Sequence, residues 1–168
     1  MTQQWRHEGS VEVVIAADAG TIYARIADVT SIGGRSVECR SCEWLPGATP
    51  GTVGSRFRGR NRSGRLRWSR VCEVTEAEPG RRFAFRVVPA RFDPTRADST
   101  TWSYVLVPEG AATRVTHAYR IEKWPARPLK WLYGRLLPQH RDMRPQMAHT
   151  LEQLRRELEA TPASDAGA

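Results

Sequence analysis

The sequence predicts an α+β domain: a curved antiparallel sheet of six to seven strands wrapped around a long C-terminal helix, with one or two short helices after the first strand. Three observations predict it. From residue 10 to residue 121, segment after segment alternates apolar and polar positions with the period of two that a strand requires. One early stretch, residues 19–28, breaks that alternation with apolar residues spaced three and four apart. After Trp124 the period changes to the helical one. Strand, helix, antiparallel strands and terminal helix leave one economical layering, a helix laid on one face of a sheet.

Each element has its own signal. SVEVVIAA, residues 10–17, alternates as a first strand. Asp18 is placed to cap a helix over residues 19–28, with Ile22, Ile26 and Val29 on one side. TSIGGRS is a break with room for a second small helix, and VECRSCEWL, residues 37–45, is a second strand. The loop PGATPGTVG follows; its glycines open no helix, so it is no phosphate cradle.

Residues 54–70, GSRFRGRNRSGRLRWSR, hold seven arginines. Arg56, Arg58, Arg60 and Arg62 alternate with Phe57, Gly59 and Asn61, and after Ser63-Gly64 the alternation resumes, so the tract reads as a hairpin turning on those two residues. That turn sets Arg62 opposite Arg65, Arg60 opposite Arg67, Gly59 opposite Trp68 and Phe57 opposite Arg70. One face is then nearly all arginine, and Arg70 is the exception that points inward. The second hairpin strand runs on through VCEVTE to a turn at Glu78-Pro79-Gly80. RRFAFRVV, a polar loop over residues 90–99, TTWSYVLV and ATRVTHAYRI complete the meander.

WPARPLKWLYGRLLP is apolar with basic residues between, and Leu129, Leu132 and Leu136 share a helical face that suits a lid over a cavity or a membrane-surface helix. Residues 139–160 read as one long helix carrying Met143, Met147, Leu151, Leu154 and Leu158, with Pro145 kinking it or marking its true start. The expected organisation is an N-terminal extension over residues 1–9, a single domain over 10–160 and a disordered tail over 161–168.

A chain of 168 residues is one domain with room for a real core. Its net charge of +8 favours anionic partners, although 24 of the 26 basic residues are arginine, a bias that coding composition also produces. No stretch reaches the ~18 to 20 apolar residues of a membrane span, and MTQQWRHEGS lacks the apolar region of a signal peptide, so a cytoplasmic location is expected. Cys39 and Cys42 form a CxxC. Such a pair reads either as a redox pair or half a zinc site, or as a strand that happens to carry two thiols; three positions apart in a regular strand they would lie ~10 Å from one another on opposite faces, and a zinc site would need two more ligands, so two unrelated thiols are expected.

The runs "GSRFRGRN", "LRWSRVCEVTEAEPGRRFAF", "TTWSYVLVPEGAATRVTHAYRI" and "MAHTLEQLRREL" resemble the SRPBCC superfamily, the START-like or pollen-allergen-like helix-grip fold, in its polyketide cyclase/dehydrase-like bacterial branch. The resemblance covers roughly residues 10 to 160. Similar sequences often carry a Trp-Ser-Pro-Glu run after the first helix, where this chain has Arg35-Ser36-Val37-Glu38. The resemblance implies a cavity between sheet and helix. Inward strand positions then supply its wall: Phe57, Trp68, Arg70, Phe83, Phe85, Trp102, Tyr104, His117 and Tyr119, with Met143 and Met147 from the helix. Aromatic and methionine side chains suit a flat or flexible apolar ligand.

Arg70, His117 and Tyr119 are the candidate chemical groups. A buried guanidinium needs a partner, for which Glu38 is the nearby carboxylate. His117 and Tyr119 can donate to a ligand carbonyl or move a proton. Two readings follow: a binder of a lipid or polyketide-like molecule, or a cyclase, aromatase or dehydratase acting on a carrier-bound polyketone. The chain has no GxSxG elbow, HExxH motif, dinucleotide fingerprint or paired inward carboxylates. Neither a cofactor nor a metal is expected. Arg56, Arg58, Arg60, Arg62, Arg65 and Arg67 would dock an acidic carrier protein or an anionic membrane; the tract lacks the exposed aromatics that stack bases, so nucleic acid is not the expected partner.

Overall fold

The computed structural model describes residues 5–89, 99–123 and 127–160. Seven antiparallel strands form one sheet in the order β1-β7-β6-β5-β4-β3-β2. They are β1 (Glu8–Ile15), β2 (Cys39–Trp44), β3 (Arg56–Ser63), β4 (Leu66–Glu78), β5 (Arg82–Val88), β6 (Ser99–Glu109) and β7 (Ala112–Lys123). Only β1, which pairs with β7, and the β1-to-β2 connection depart from a simple meander. That connection holds α1 (Ala19–Ala27), a 3₁₀ turn at Val29–Ser31 and α2 (Ile32–Arg35). The chain closes with α3 (Arg127–Leu136), a second 3₁₀ turn at Pro138–Arg141 and α4 (Arg144–Ala160). Among the described residues no helix is long and apolar enough to cross a membrane.

Local chemistry explains the boundaries. Asp18 accepts from the Thr21 backbone N–H at 2.9 Å and caps α1. Ile22 and Ile26 then face the sheet and are buried with Ile15, Phe83, Leu106, Val115, Leu151 and Leu154. Of the two roles expected for Pro145 within residues 139–160, the structure has the second: it marks the true start of the helix. Pro138–Arg141 is a 3₁₀ turn, Asp142 is extended and accepts from the Arg144 N–H, and α4 starts there with Pro145 in its first turn, where its missing N–H costs nothing. The first strand begins at Glu8, so two residues assigned to an N-terminal extension belong to the sheet. The polar loop expected over 90–99 falls outside the described residues except at Ser99, and so do residues 161–168.

The hairpin has the expected faces and a different turn. Ser63 pairs with Leu66, leaving Gly64 and Arg65 as the two-residue loop. Gly64 has φ +57° while Arg65 does not enter the left-handed region, the pattern of a II′ turn with glycine first. Arg62 therefore pairs with Arg67, Arg60 with Ser69, Gly59 with Arg70 and Phe57 with Cys72, in place of the expected Arg62/Arg65 and Arg60/Arg67 pairs. The shift is an even number of positions, so no side chain changes face.

Carboxylates on the neighbouring strands pair with part of the arginine face. Arg56 and Arg86 both reach Glu73, at 2.8 and 2.9 Å; Arg60 and Arg58 reach Glu43, at 2.8 and 3.7 Å; Arg82 reaches Glu76 at 3.0 Å.

The expectation that Cys39 and Cys42 face opposite ways is overturned. The β2/β3 ladder jumps from Cys39↔Asn61 to Ser41↔Arg60, so Arg40 is an extra, bulged residue and both cysteines face inward, Sγ to Sγ 3.3 Å.

Candidate functional site

Between the inward face of the sheet and α4 lies a cavity of ≈ 220 Å³. Its wall includes Phe57, Trp68, Phe85, Trp102 and Tyr104, the methionines Met143 and Met147, and the polar Arg70 and His117. Phe83 and Tyr119, also expected in the wall, lie outside it. Phe83 is fully buried in the core, edge-on to Tyr23. Tyr119 packs in a satellite cluster with Ile121, Met143 and Met147, and its hydroxyl is buried without a full hydrogen bond, nearest the backbone of Met143. The reason is bulk: Gly9 on β1 leaves the Tyr119 ring a slot that a Cβ would enter at 2.8 Å, and the ring fills the slot rather than the cavity.

The aromatic part of the wall is stacked. Tyr104 and His117, cross-strand partners on β6 and β7, lie with ring centroids 4.0 Å apart and planes 5° off parallel, and Trp102 stacks on the other side of the imidazole at 5.7 Å. His117 Nδ1 sits 3.1 Å from the Ser103 carbonyl oxygen, which only accepts, so Nδ1 carries the proton and Nε2 is an acceptor. Burial pushes the His117 pKa down to about 4. At neutral pH the ring is uncharged, which suits it to accept a hydrogen bond rather than to donate to a carbonyl.

A polar cluster that sequence reasoning missed also lines the cavity. Glu38, in the short segment between α2 and β2, accepts from Gln139 Nε2 at 2.7 Å and faces His140 Nε2 at 2.9 Å, with Gln146 Nε2 at 3.5 Å. Glu38 and His140 are only 14% and 20% exposed. Burial works against the carboxylate charge, yet the bonds from His140, Gln139 and Gln146 outweigh it and hold the Glu38 pKa below the ordinary carboxylate value. His140 also lies edge-on to Trp68 at 6.0 Å. Glu38 thus belongs to this cluster rather than to Arg70, the partner the sequence suggested. The only clue in the chain was a carboxylate beside an inward strand position, and its partners lie about a hundred residues away.

Trp5, likewise unforeseen, reaches the cavity wall from the N-terminus. Lys130 Nζ lies 5.4 Å from its ring centroid, and a Cβ on Gly134 would come within 2.9 Å of it, so α3 packs on Trp5. Trp131, Leu132 and Leu136 of α3 are exposed; the side chain of Leu129 is outside the described residues. No described α3 side chain lines the cavity, and the helix meets the wall through Trp5.

Residues 6–159 match the family model described as polyketide cyclase / dehydrase and lipid transport. The sequence matches no curated protein. Among solved structures, a protein from Thermus thermophilus is similar at TM-score 0.70 and 20% identity, covering 93% of this chain and 99% of that one. Ginseng major latex-like protein 151 from Panax ginseng is similar at TM-score 0.63 and 14% identity, over 91% and 99% of the two chains. A START superfamily protein from Mycobacterium smegmatis is similar at TM-score 0.61 and 18% identity, again over 91% and 99%. At such identities the likeness is one of fold.

Proposed function

This chain belongs to the polyketide cyclase/dehydrase and lipid transport family of START-like folds, and on that premise we propose that it binds a hydrophobic small molecule, lipid or polyketide-like, inside the cavity. One observation carries the reading: an internal space of ≈ 220 Å³ whose wall is aromatic and methionine-rich, with the Glu38–His140–Gln146 cluster, Arg70 and His117 among its polar contacts. Apolar surface gives such a ligand its affinity, at ~25 cal/mol per Å² buried, and sparse polar groups set its orientation.

The test is titration with an environment-sensitive apolar dye. The reading expects saturable, micromolar binding, displacement by long-chain or polycyclic compounds, and weakening in Gly59→Leu, which adds bulk where the wall has none. Binding that never saturates, or that Gly59→Leu leaves unchanged, refutes it.

One observation favours a second reading, catalysis of cyclisation or dehydration. An imidazole held by a carboxylate is an arrangement that takes up and returns a proton, and His140 and Glu38 occupy the cavity wall together. In that reading this pair moves the proton and Arg70 polarises a carbonyl, while neutral His117 positions the substrate and Tyr119 takes no part. Product formation from a polyketone thioester, lost in Glu38→Gln with dye binding retained, would select it.

For delivery of the ligand we propose docking of an acidic carrier or anionic membrane on the outward arginines. Their pairing with Glu43 and Glu73 leaves cations in the majority on that face. Changing Arg60, Arg62, Arg65 and Arg67 together to Ser should abolish a salt-sensitive association; unchanged association refutes it.

A further inference from the structure

We propose that Cys39 and Cys42 form a dithiol site in the cavity wall that reduces a hydroperoxide and closes to a disulfide as it does so. This activity stands apart from the ligand-binding reading and does not depend on it.

The geometry comes from the bulge. With Arg40 extruded, Cys39 and Cys42 pair with Asn61 and Gly59, which are two positions apart on one face of β3. Two strand positions span ~6.6 Å, inside the ~4.4 to 6.8 Å separation of Cα atoms that a disulfide accepts. The sulfurs already stand 3.3 Å apart, so closing the bond asks for a side-chain movement on the order of 1 Å.

The surroundings hold this arrangement in place. A Cβ on Gly33 of α2 would meet the Arg40 carbonyl oxygen at 2.3 Å, so only glycine lets α2 press on the bulge. Ser36 Oγ accepts from the Cys39 N–H at 3.0 Å and fixes the strand entrance. Gly59 opposite carries no side chain, and a Cβ there would lie 3.5 and 3.8 Å from the two sulfurs, so the dithiol lies open above it. Both cysteines line the cavity, Cys39 half-buried and Cys42 buried, which exposes the pair to molecules of the size and polarity the cavity admits. Among the described residues no third ligand completes a metal-binding cluster with them.

The two thiols are also chemically unequal. The hydrogen bond with Cys42 lowers the Cys39 pKa, while the same contact and burial raise that of Cys42. Cys72 is pushed up to about 12 by burial and stays a thiol. Cys39 is also the less buried of the two, the one an entering hydroperoxide meets first, and is therefore the attacking sulfur. Its thiolate attacks the terminal oxygen of ROOH; the O–O bond breaks, RO⁻ takes a proton and leaves as ROH, and Cys39 becomes a sulfenic acid. Cys42 loses its proton, its sulfur attacks Cys39 sulfur, the S–O bond breaks and water leaves. The sum is two thiols plus ROOH giving one disulfide, ROH and water. A dithiol reductant returns the pair to its starting state.

The experiment treats the purified full chain with hydrogen peroxide or cumene hydroperoxide and follows it by intact mass and peptide mapping. We expect loss of two hydrogen masses, a Cys39–Cys42 link in wild type and in Cys72→Ser, one cumyl alcohol released per disulfide, and reversal by dithiothreitol. In Cys42→Ser the reaction should stop at a Cys39 sulfenic acid trapped by a 1,3-dione, and Cys39→Ser should not react at the site. Unchanged thiols in the folded wild type, a link that includes Cys72, or a folded Cys42→Ser without Cys39 sulfenate overturns the proposal. The wild-type peptide map decides even where a variant does not fold.

Discussion

His117 should make the fold acid-sensitive by an amount its surroundings define. The ring is 4% exposed, stacked between Tyr104 and Trp102, and its pKa falls from the ordinary 6.5 to about 4 because burial disfavours the imidazolium. Between those two values the unfolded chain holds the proton that the folded chain refuses, so stability falls as pH drops through the window and is retained above 6.5. At 1.36 kcal/mol per pKa unit the loss from pH 7 to pH 4 is about 3 kcal/mol. The perturbation that isolates it is His117→Phe, which keeps an aromatic ring against Tyr104 and removes the titration. That variant loses the bond to the Ser103 carbonyl oxygen at every pH, about 1 kcal/mol. Urea unfolding of both proteins at pH 7 and pH 4 should therefore show the wild type losing about 2 to 3 kcal/mol more than the variant. Equal losses, or an imidazole proton resonance of His117 titrating near 6.5, would refute the reasoning.

Two further outcomes follow from the cavity and its margin. Glu38→Gln should cost about 1.5 to 3 kcal/mol at pH 7, the worth of hydrogen bonds to a mostly buried charge. Because the folded Glu38 pKa is depressed, that difference should be present above the ordinary carboxylate value and shrink as pH falls through the folded one, as denaturant curves at pH 7 and pH 3 would reveal. Tyr119→Phe should change stability by less than about 0.5 kcal/mol, or raise it, since the hydroxyl it removes is buried without a full hydrogen bond. It should also leave dye binding unaltered, and a loss above about 2 kcal/mol would show that Met143 holds that hydroxyl firmly.

Much of the architecture was legible because a period of two and a period of 3.6 are properties of the chain itself. Phe57, Trp68, Phe85, Trp102 and Tyr104 fall on the inward face whichever way the hairpin turn is drawn, provided the slip is even. The turn was misplaced by a single residue because Ser63-Gly64 and Gly64-Arg65 both contain glycine; only the sign of φ at the first loop position separates them. The pairing of Cys39 with Cys42 was set aside for a different reason. A bulge at Arg40 turns the count of three between the cysteines into an effective two, and the bare Cα of Gly33 that leaves room for it belongs to another element. Glu38 and His140 are far apart in sequence, and a helix start marked by Pro145 does not say that a 3₁₀ turn before it brings His140 to Glu38. Carboxylates on neighbouring strands, Glu43 and Glu73, were similarly beyond a reading of the arginine tract alone.

Occupation of the cavity by an apolar molecule is the central claim, and the methionine methyl groups report it directly. The chain has three methionines, of which Met143 and Met147 line the cavity. In a protein labelled with ¹³C at the methionine methyls, titration with a long-chain or polycyclic compound should shift the Met143 and Met147 resonances together and saturably. Resonances of Met143 and Met147 that stay fixed while such a compound binds elsewhere, or that drift without saturating, would contradict it.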